Sequence, residues 1–357
     1  MTLLITGSTG LVGQALVRYL LSETFYAKEP CKMRLLIREK IGNHHRQRFL
    51  RWCEEKKIDM FFGDLRNYED VMTFTKVPDP ESSVLIHCGA IFNLWQPYEL
   101  LYDVNVNGTE RILQAFHKNE IKKLIYLSSI AVYDKMSGTN GQGIKEDHPI
   151  DLHMKKNYEL TKALGEELVW EYQFQHPQKL ITILRPSGII GGSSSTLDMF
   201  SRMFIGCFVP LPRGGKDKVS LVDTIDVARA IIFLSDFQKG NGEVYNLVSC
   251  TPTLREVVLE LSQALQKQKV LIISIPLFIF KPMYYLAYCI RKIKKAKENS
   301  ILIPGLFDKL GQDIWVDDSK IRRTGFKYTV TLSESMEKFG TFFLENPWYK
   351  QKLNFTL

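Results

Sequence analysis

Through its first half the chain alternates short, nearly all-apolar runs with longer stretches in which apolar residues recur at helical spacing. The runs are residues 3–6, 33–37, 60–62, 84–87, 123–128 and 180–184. A strand buried on both faces reads as a continuous apolar segment, because neither side-chain direction meets water. Residues 11–22, 106–119 and 158–175 carry apolar positions three and four apart, which marks one face of a helix. This alternation predicts an α/β architecture, a doubly wound parallel sheet covered by helices on both sides. After Pro186 the pattern loosens. Residues 191–195 and 210–216 read as loops, 222–235 as a helix and 244–247 as one more strand. From residue 251 helices and irregular stretches dominate. The expected division is a sheet-forming core, 1–190 plus 217–250, and a smaller, mostly helical part, 191–216 plus 251–357.

Composition narrows the classes. Apolar residues make up 45% and charged residues 24% of the 357, an ordinary globular balance that excludes disordered and collagen-like chains. The length corresponds to about two domains. Six cysteines lie far apart with no C-x-x-C pair, so neither a zinc site nor a disulfide framework is expected. The first apolar run ends at Gly7, too soon for a secretory leader, and the cytoplasm is the expected location.

The net charge of +8 invites a nucleic-acid or membrane reading, and its location decides which. Residues 270–290 hold a single charge, Lys281, and two prolines, Pro276 and Pro282. The prolines and the lysine argue against a simple membrane span. Five of the next seven residues, 291–297, are basic. That run holds much of the excess, so the basicity is local and nucleic acid is not the expected partner. Two readings stay open: a helix packed on the core with a solvated basic turn, or a peripheral contact of 270–297 with an anionic membrane.

The chemistry begins between the first run and the first helix. There the chain reads Gly7-Ser8-Thr9-Gly10-Leu11-Val12-Gly13. One glycine makes a tight turn, a second admits a close-lying diphosphate, and a third lets helix and strand pack closely. The free N–H groups of the helix start then face the phosphates. The second run ends at Arg38, whose planar guanidinium suits a 2′-phosphate, so NADP is favoured over NAD. Glu39 follows immediately, and a one-residue shift would reverse that preference.

Ser128 and Ser129 close the fifth run, where ligands of doubly wound sheets gather. Tyr158 and Lys162 lie four apart on a predicted helix and share a face. A phenol with an ordinary pKa of about 10 is a poor base at neutral pH, and a nearby ammonium favours its ionised form. Proton transfer to or from an oxygen then becomes feasible.

Together with Gly63-Asp64-Leu65, His87-Cys88-Gly89-Ala90, Asn105-Val106-Asn107-Gly108-Thr109 and Leu184-Arg185-Pro186, these motifs make the chain resemble the extended short-chain dehydrogenase/reductases. That superfamily includes the nucleotide-sugar epimerases. The resemblance implies a Rossmann fold with a smaller substrate-binding part on the C-terminal side. It implies that Asp64 and Leu65 contact the adenine and that Cys88, Gly89 and Ala90 line the middle of the cofactor. Pro186 would approach the nicotinamide. Ser129, Tyr158, Lys162 and Asn105 would form the catalytic set, with Asn105 supporting a proton relay and Lys162 binding the ribose. Many relatives pair as homodimers through helices equivalent to 106–119 and 158–175.

The small-molecule substrate is less legible. Arg185-Pro186-Ser187-Gly188 departs from the Arg-Pro-Asn pattern of many sugar-nucleotide members. Phe92 and Trp95 after the fourth run are similar to the branch of thioester reductases and hydroxysteroid dehydrogenases. The expectation is an oxidoreductase acting on an apolar carbonyl or alcohol. An epimerase or dehydratase with tightly held NAD, and a non-catalytic NADP-sensing regulator, are the alternatives.

Overall fold

The computed structural model describes residues 1–22, 31–38, 44–92, 96–133, 143–154, 157–267, 269–293 and 311–346. Glu39, Trp95 and the basic residues Lys294, Lys295 and Lys297 lie outside them.

The apolar runs become strands of one sheet: β1 (Thr2–Thr6), β2 (Lys32–Ile37), β3 (Asp59–Phe62), β4 (Val84–His87), β5 (Lys123–Leu127), β6 (Leu180–Pro186) and β10 (Glu243–Leu247). Their order is β10-β6-β5-β4-β1-β2-β3, and every neighbouring pair is parallel. The order reverses between β1 and β4, and a parallel sheet opens its ligand crevice beyond such a reversal.

Helices cover both faces. On one, α1 (Leu11–Leu20), α2 (His44–Glu55) and α8 (Thr224–Leu234) enclose Leu3, Ile5, Leu16, Phe49, Ile86 and Ile231. On the other, α3 (Tyr68–Thr75), α5 (Gly108–Lys118) and α6 (Tyr158–Gln175) enclose Leu4, Phe74, Leu85, Phe116 and Leu124. The helix expected at 106–119 is longer and compound. α4 (Tyr98–Tyr102) runs into a π-helical turn at Asp103–Asn107, which runs into α5. An inserted π turn often marks a functional site.

A third core gathers α7 (Ser195–Ser201), β8 (Phe208–Pro212), α9 (Leu254–Ala264) and α12 (Leu332–Glu345). Thr253 with Glu256, and Thr331 with Glu334, form capping boxes that start α9 and α12. Two readings change here. Residues 208–212, partly expected as loop, are strand β8, and the apolar run 270–290 divides into strand β11 (Leu271–Ile275) and helix α10 (Leu277–Ile293). β11 pairs with β8, and β7 (Gly188–Ile190) with β9 (Leu221–Asp223), as two-stranded parallel sheets. β8 keeps two prolines because a two-stranded sheet leaves each strand an open edge. The chain then returns to the first core. Ile321 of α11 (Ser319–Arg323) and Phe326 pack there, and buried Asp226 accepts from the backbone N–H groups of Thr329 and Val330. Among the described residues no helix is long and apolar enough to cross a membrane.

Candidate active site

The glycine loop brings backbone against backbone at the reversal. Gly7 has φ +66°, and a Cβ there would lie 2.5 Å from the Cys88 carbonyl oxygen. A Cβ on Gly13 would lie 2.3 Å from the Gly7 carbonyl oxygen. Gly10 N–H donates to Gly7 O at 2.9 Å and closes the turn. No side chain caps α1 at Gly10, which leaves its first-turn N–H groups to an incoming anion. The loop side chains serve the fold. Ser8 donates to Leu36 O at 3.2 Å, Gln14 donates to Thr9 O at 2.9 Å, and Val12 is in the core. Leu11 is half-buried at the start of α1.

Arg38 is exposed just past β2. Arg46 of α2 stands near it; burial first, and then Arg38, hold the Arg46 guanidinium below its usual range. Asp64 is clasped by Arg66, with Nη2 to Oδ2 at 2.8 Å, and that hydrogen bond is the main reason its carboxyl sits below the usual range. Leu65 packs under Gly89, where a Cβ would come within 2.6 Å of Leu65 Cδ1. Gly89 N–H donates to Thr6 Oγ1 at 3.2 Å, and Ala90 is half-buried beyond it. Burial pushes the Cys88 thiol up to about 12, so it stays protonated and inert. Its neighbour His87 is held neutral, lowered to about 3 by burial first and by Lys162 second. It bridges Thr6 and Thr109 and packs the strand end.

At the carboxyl end of β5, Ser129 caps a short 3₁₀ turn, its Oγ accepting from Ala131 N at 3.1 Å. Tyr158 is the first residue of α6, which Asn157 starts by accepting from Leu160 N at 3.0 Å. Burial carries the pKa of Tyr158 above the ordinary phenol value, against the neighbouring Ser129 hydroxyl, which favours the ionised form. The ring of Phe92 meets Tyr158 edge-on at 4.9 Å.

Lys162 is buried, and its Nζ donates to Leu127 O at 2.8 Å and to Tyr126 Oη at 3.3 Å. Lys162 shares the expected helix face with Tyr158, and the hydrogen bonds of its ammonium go to the acceptors at the end of β5. Burial lowers it to about 8, against the pull of Glu166 and Cys88. Asn105, in the π turn, accepts from Ile91 N at 2.8 Å and donates to Ile91 O and Thr161 Oγ1. It clasps the turn after β4 to α6.

Behind these groups lies a buried polar chain that sequence reasoning missed. Ser128 donates to Glu166 Oε2 at 2.5 Å. Glu166 pairs with Arg185, both nearly fully buried. Arg185 donates to Tyr133 Oη at 2.9 Å, and Tyr133 donates to Asn246 Oδ1 at 2.6 Å. The available signal was Glu166 four residues after Lys162, an acid on the same helix face. Of the two serines, Ser128 is therefore committed to this chain, while Ser129 meets Tyr158.

The residues fit a nicotinamide dinucleotide. The glycine cradle would be filled by any Cβ, and α1 begins uncapped beside it. Pro186 ends β6 against Leu247, and the next hydroxyl, Ser187 Oγ, is buried at the same strand end with no partner among the described residues. A depression of about 680 Å³ bounded by Met1, Lys57 and Asp79 lies at the amino ends of the strands, away from all of these groups.

Known proteins resemble this chain in sequence and in fold. Over 248 residues the chain is 28% identical to the N-acetyl-α-D-glucosaminyl-diphospho-ditrans,octacis-undecaprenol 4-epimerase of Escherichia coli O157:H7, covering 68% of this chain and 71% of that one. It is 32% identical over 142 residues to the decarboxylating sterol-4-α-carboxylate 3-dehydrogenase of Candida albicans, 39% of this chain and 38% of that one. Of two matching non-canonical nonribosomal peptide synthetases it spans 17% and 26%. The fold superposes on UDP-glucose 4-epimerase of Thermus thermophilus in complex with NAD, with a TM-score of 0.69 and 19% identity over 96% of this chain and 99% of that one. Residues 3–247 match the NAD dependent epimerase/dehydratase family, and the chain belongs to that family.

Proposed function

We propose that the protein is an NADP-preferring oxidoreductase that transfers a hydride at a carbonyl or alcohol carbon of an apolar, acyl- or sterol-like substrate. The observation that carries this reading is the Ser129–Tyr158 hydroxyl pair standing beside the Phe92 ring. When bound, the nicotinamide supplies or accepts the hydride. Tyr158, kept protonated by burial, hands its proton to the substrate oxygen in the reducing direction. Ser129 donates a hydrogen bond to the same oxygen as charge develops on it. Lys162 fixes α6 to the end of β5, and Asn105 fixes α6 to the turn after β4, so both position Tyr158. Phe92 is 55% exposed and offers apolar surface next to the reacting hydroxyl. Gly7, Gly10 and Gly13 would admit the diphosphate, and Arg38 with Arg46 would meet a 2′-phosphate.

The test is a titration of the purified full chain with NADPH and NADH, followed by turnover assays on a medium-chain aldehyde, an acyl thioester and a keto-sterol. NADPH should bind more tightly by about tenfold or more, and Arg38→Ala should remove that margin. Tighter binding of NADH refutes the cofactor preference. The match to the undecaprenol-linked epimerase favours a second reading, epimerisation with tightly held NAD. Interconversion of sugar epimers without net NADPH consumption would establish it and overturn the first.

A further inference from the structure

The C-terminal part carries an apolar face that the described fold leaves uncovered. On α10, Phe278, Ile279, Met283, Tyr285 and Leu286 are all exposed, Phe278 by 77% and Leu286 by 62%. At about 100° per residue these five positions fall within an arc of roughly 160°. Leu277 lies on the other side, and a Cβ on Gly311 would come within 2.7 Å of it. Leu271 and Ile273 of β11 add two more exposed apolar side chains just before the helix. Single exposed apolar residues are common, but a clustered face marks a contact surface.

Charge identifies the partner. Residues 261–297 contain eight Lys and Arg and no Asp or Glu. The whole chain has 47 basic and 39 acidic residues, so outside that window the two signs balance at 39 each. In sequence, the entire positive excess of the protein falls in the window that contains this helix. Two copies meeting through it would bring two such windows together and repel. An anionic surface would attract it.

The helix is built to lie on such a surface. Seventeen residues give about 26 Å, short of the roughly 30 Å hydrocarbon core, and Lys281 and Pro282 fall inside its first half. A helix with one apolar face and a basic end settles in the headgroup region, its apolar side chains buried among the acyl ends. We propose that α10, with β11 leading into it, docks the protein on a lipid bilayer bearing anionic headgroups. Phe278, Ile279, Met283 and Leu286 insert, Tyr285 sits at headgroup depth, and the basic residues of the helix sequence, Lys281, Arg291 and Lys292, meet the phosphates.

The experiment is flotation of the full chain with vesicles of phosphatidylcholine alone, or of phosphatidylcholine with about 30% phosphatidylglycerol. The protein should float with the anionic vesicles, and its partition coefficient should fall by about tenfold or more from low to high salt. The double variant Phe278→Glu/Leu286→Glu should lose at least about tenfold in partitioning while keeping its circular dichroism and NADPH affinity. Arg291→Glu/Lys292→Glu should lose the preference for anionic over neutral vesicles, and it decides the matter should the first variant misfold. Failure to float with anionic vesicles at low salt overturns the proposal. So does unchanged binding by either variant. A wild-type dimer that Phe278→Glu/Leu286→Glu splits on sedimentation would assign the face to a second copy instead, and also overturns it.

Discussion

Replacing Lys162 with methionine should stabilise the cofactor-free protein while disabling it. Lys162 is 2% exposed, and burial is the largest influence on its ammonium, bringing it down from 10.5 to about 8. That displacement corresponds to about 3 kcal/mol against the charged form at pH 7. Methionine keeps most of the volume and removes the charge. The loss is the two hydrogen bonds to Leu127 O and Tyr126 Oη, worth about 1 kcal/mol each. The balance is a gain of about 1 kcal/mol at pH 7. The sign of the pH dependence follows from the depressed value. Below about 8 the lysine is protonated in both states, and the native state bears the cost. Between about 8 and 10.5 the native state holds fewer protons than the unfolded one, so wild-type stability rises with pH. The advantage of Lys162→Met should therefore shrink, then reverse, from pH 7 to pH 10. Urea unfolding of both proteins at the two pH values, without cofactor, measures it. A variant less stable than wild type by more than about 1 kcal/mol at pH 7, or a difference constant with pH, refutes the reasoning.

Four further outcomes are expected. Tyr158→Phe should lower turnover by about 10²- to 10⁴-fold with unfolding midpoint and NADPH affinity unchanged, since only the hydroxyl is lost. Ser129→Ala should reduce kcat without altering stability, whereas Ser128→Ala should remove one of the two donors to the buried Glu166 Oε2, the other being Arg185 Nε, and cost about 1–3 kcal/mol in chemical denaturation. Gly7→Ala, at φ +66° and against the Cys88 carbonyl, should lower stability by about 1–3 kcal/mol and weaken NADPH binding in the same titration. Arg185→Met should strand the buried Glu166 charge at a cost of about 3–5 kcal/mol, and adding Glu166→Gln should restore part of it; unchanged melting in the single variant contradicts the pairing.

The sheet was legible because buried parallel strands leave unbroken apolar runs, and the glycine loop because its spacing is a backbone requirement. Other elements were hidden for physical reasons. α2 is rich in charge, and its inward residues Phe49 and Cys53 are too few to mark a period by themselves. The run 270–290 is apolar throughout, so periodicity could not show where strand gives way to helix. Tyr158 and Lys162 stand out by their spacing, but the hydrogen-bond partners of Lys162 lie on β5, thirty-odd residues earlier, and spacing along one helix is silent about them. The Ser128–Glu166–Arg185–Tyr133–Asn246 chain joins two strands, the residue after a third, one helix and a turn; nothing local in sequence requires it.

The π turn at Asp103–Asn107 ties together two things that selection would otherwise adjust separately. One residue too many sits in an otherwise continuous helical run from Tyr98 to Lys118. Deleting any one of those five residues would restore an α-helix and rotate everything on one side of it by about 100°. If the amino-terminal half turned, Leu101 would leave its buried place. If the other half turned, Ile112, Leu113 and Phe116 would leave theirs, and Thr109 would lose its bond to the Asn105 carbonyl. Either way the Asn105 amide would no longer face Thr161. The segment should therefore tolerate substitutions on its outer surface but no change in length, and a library of single-residue deletions should show a sharp gap there.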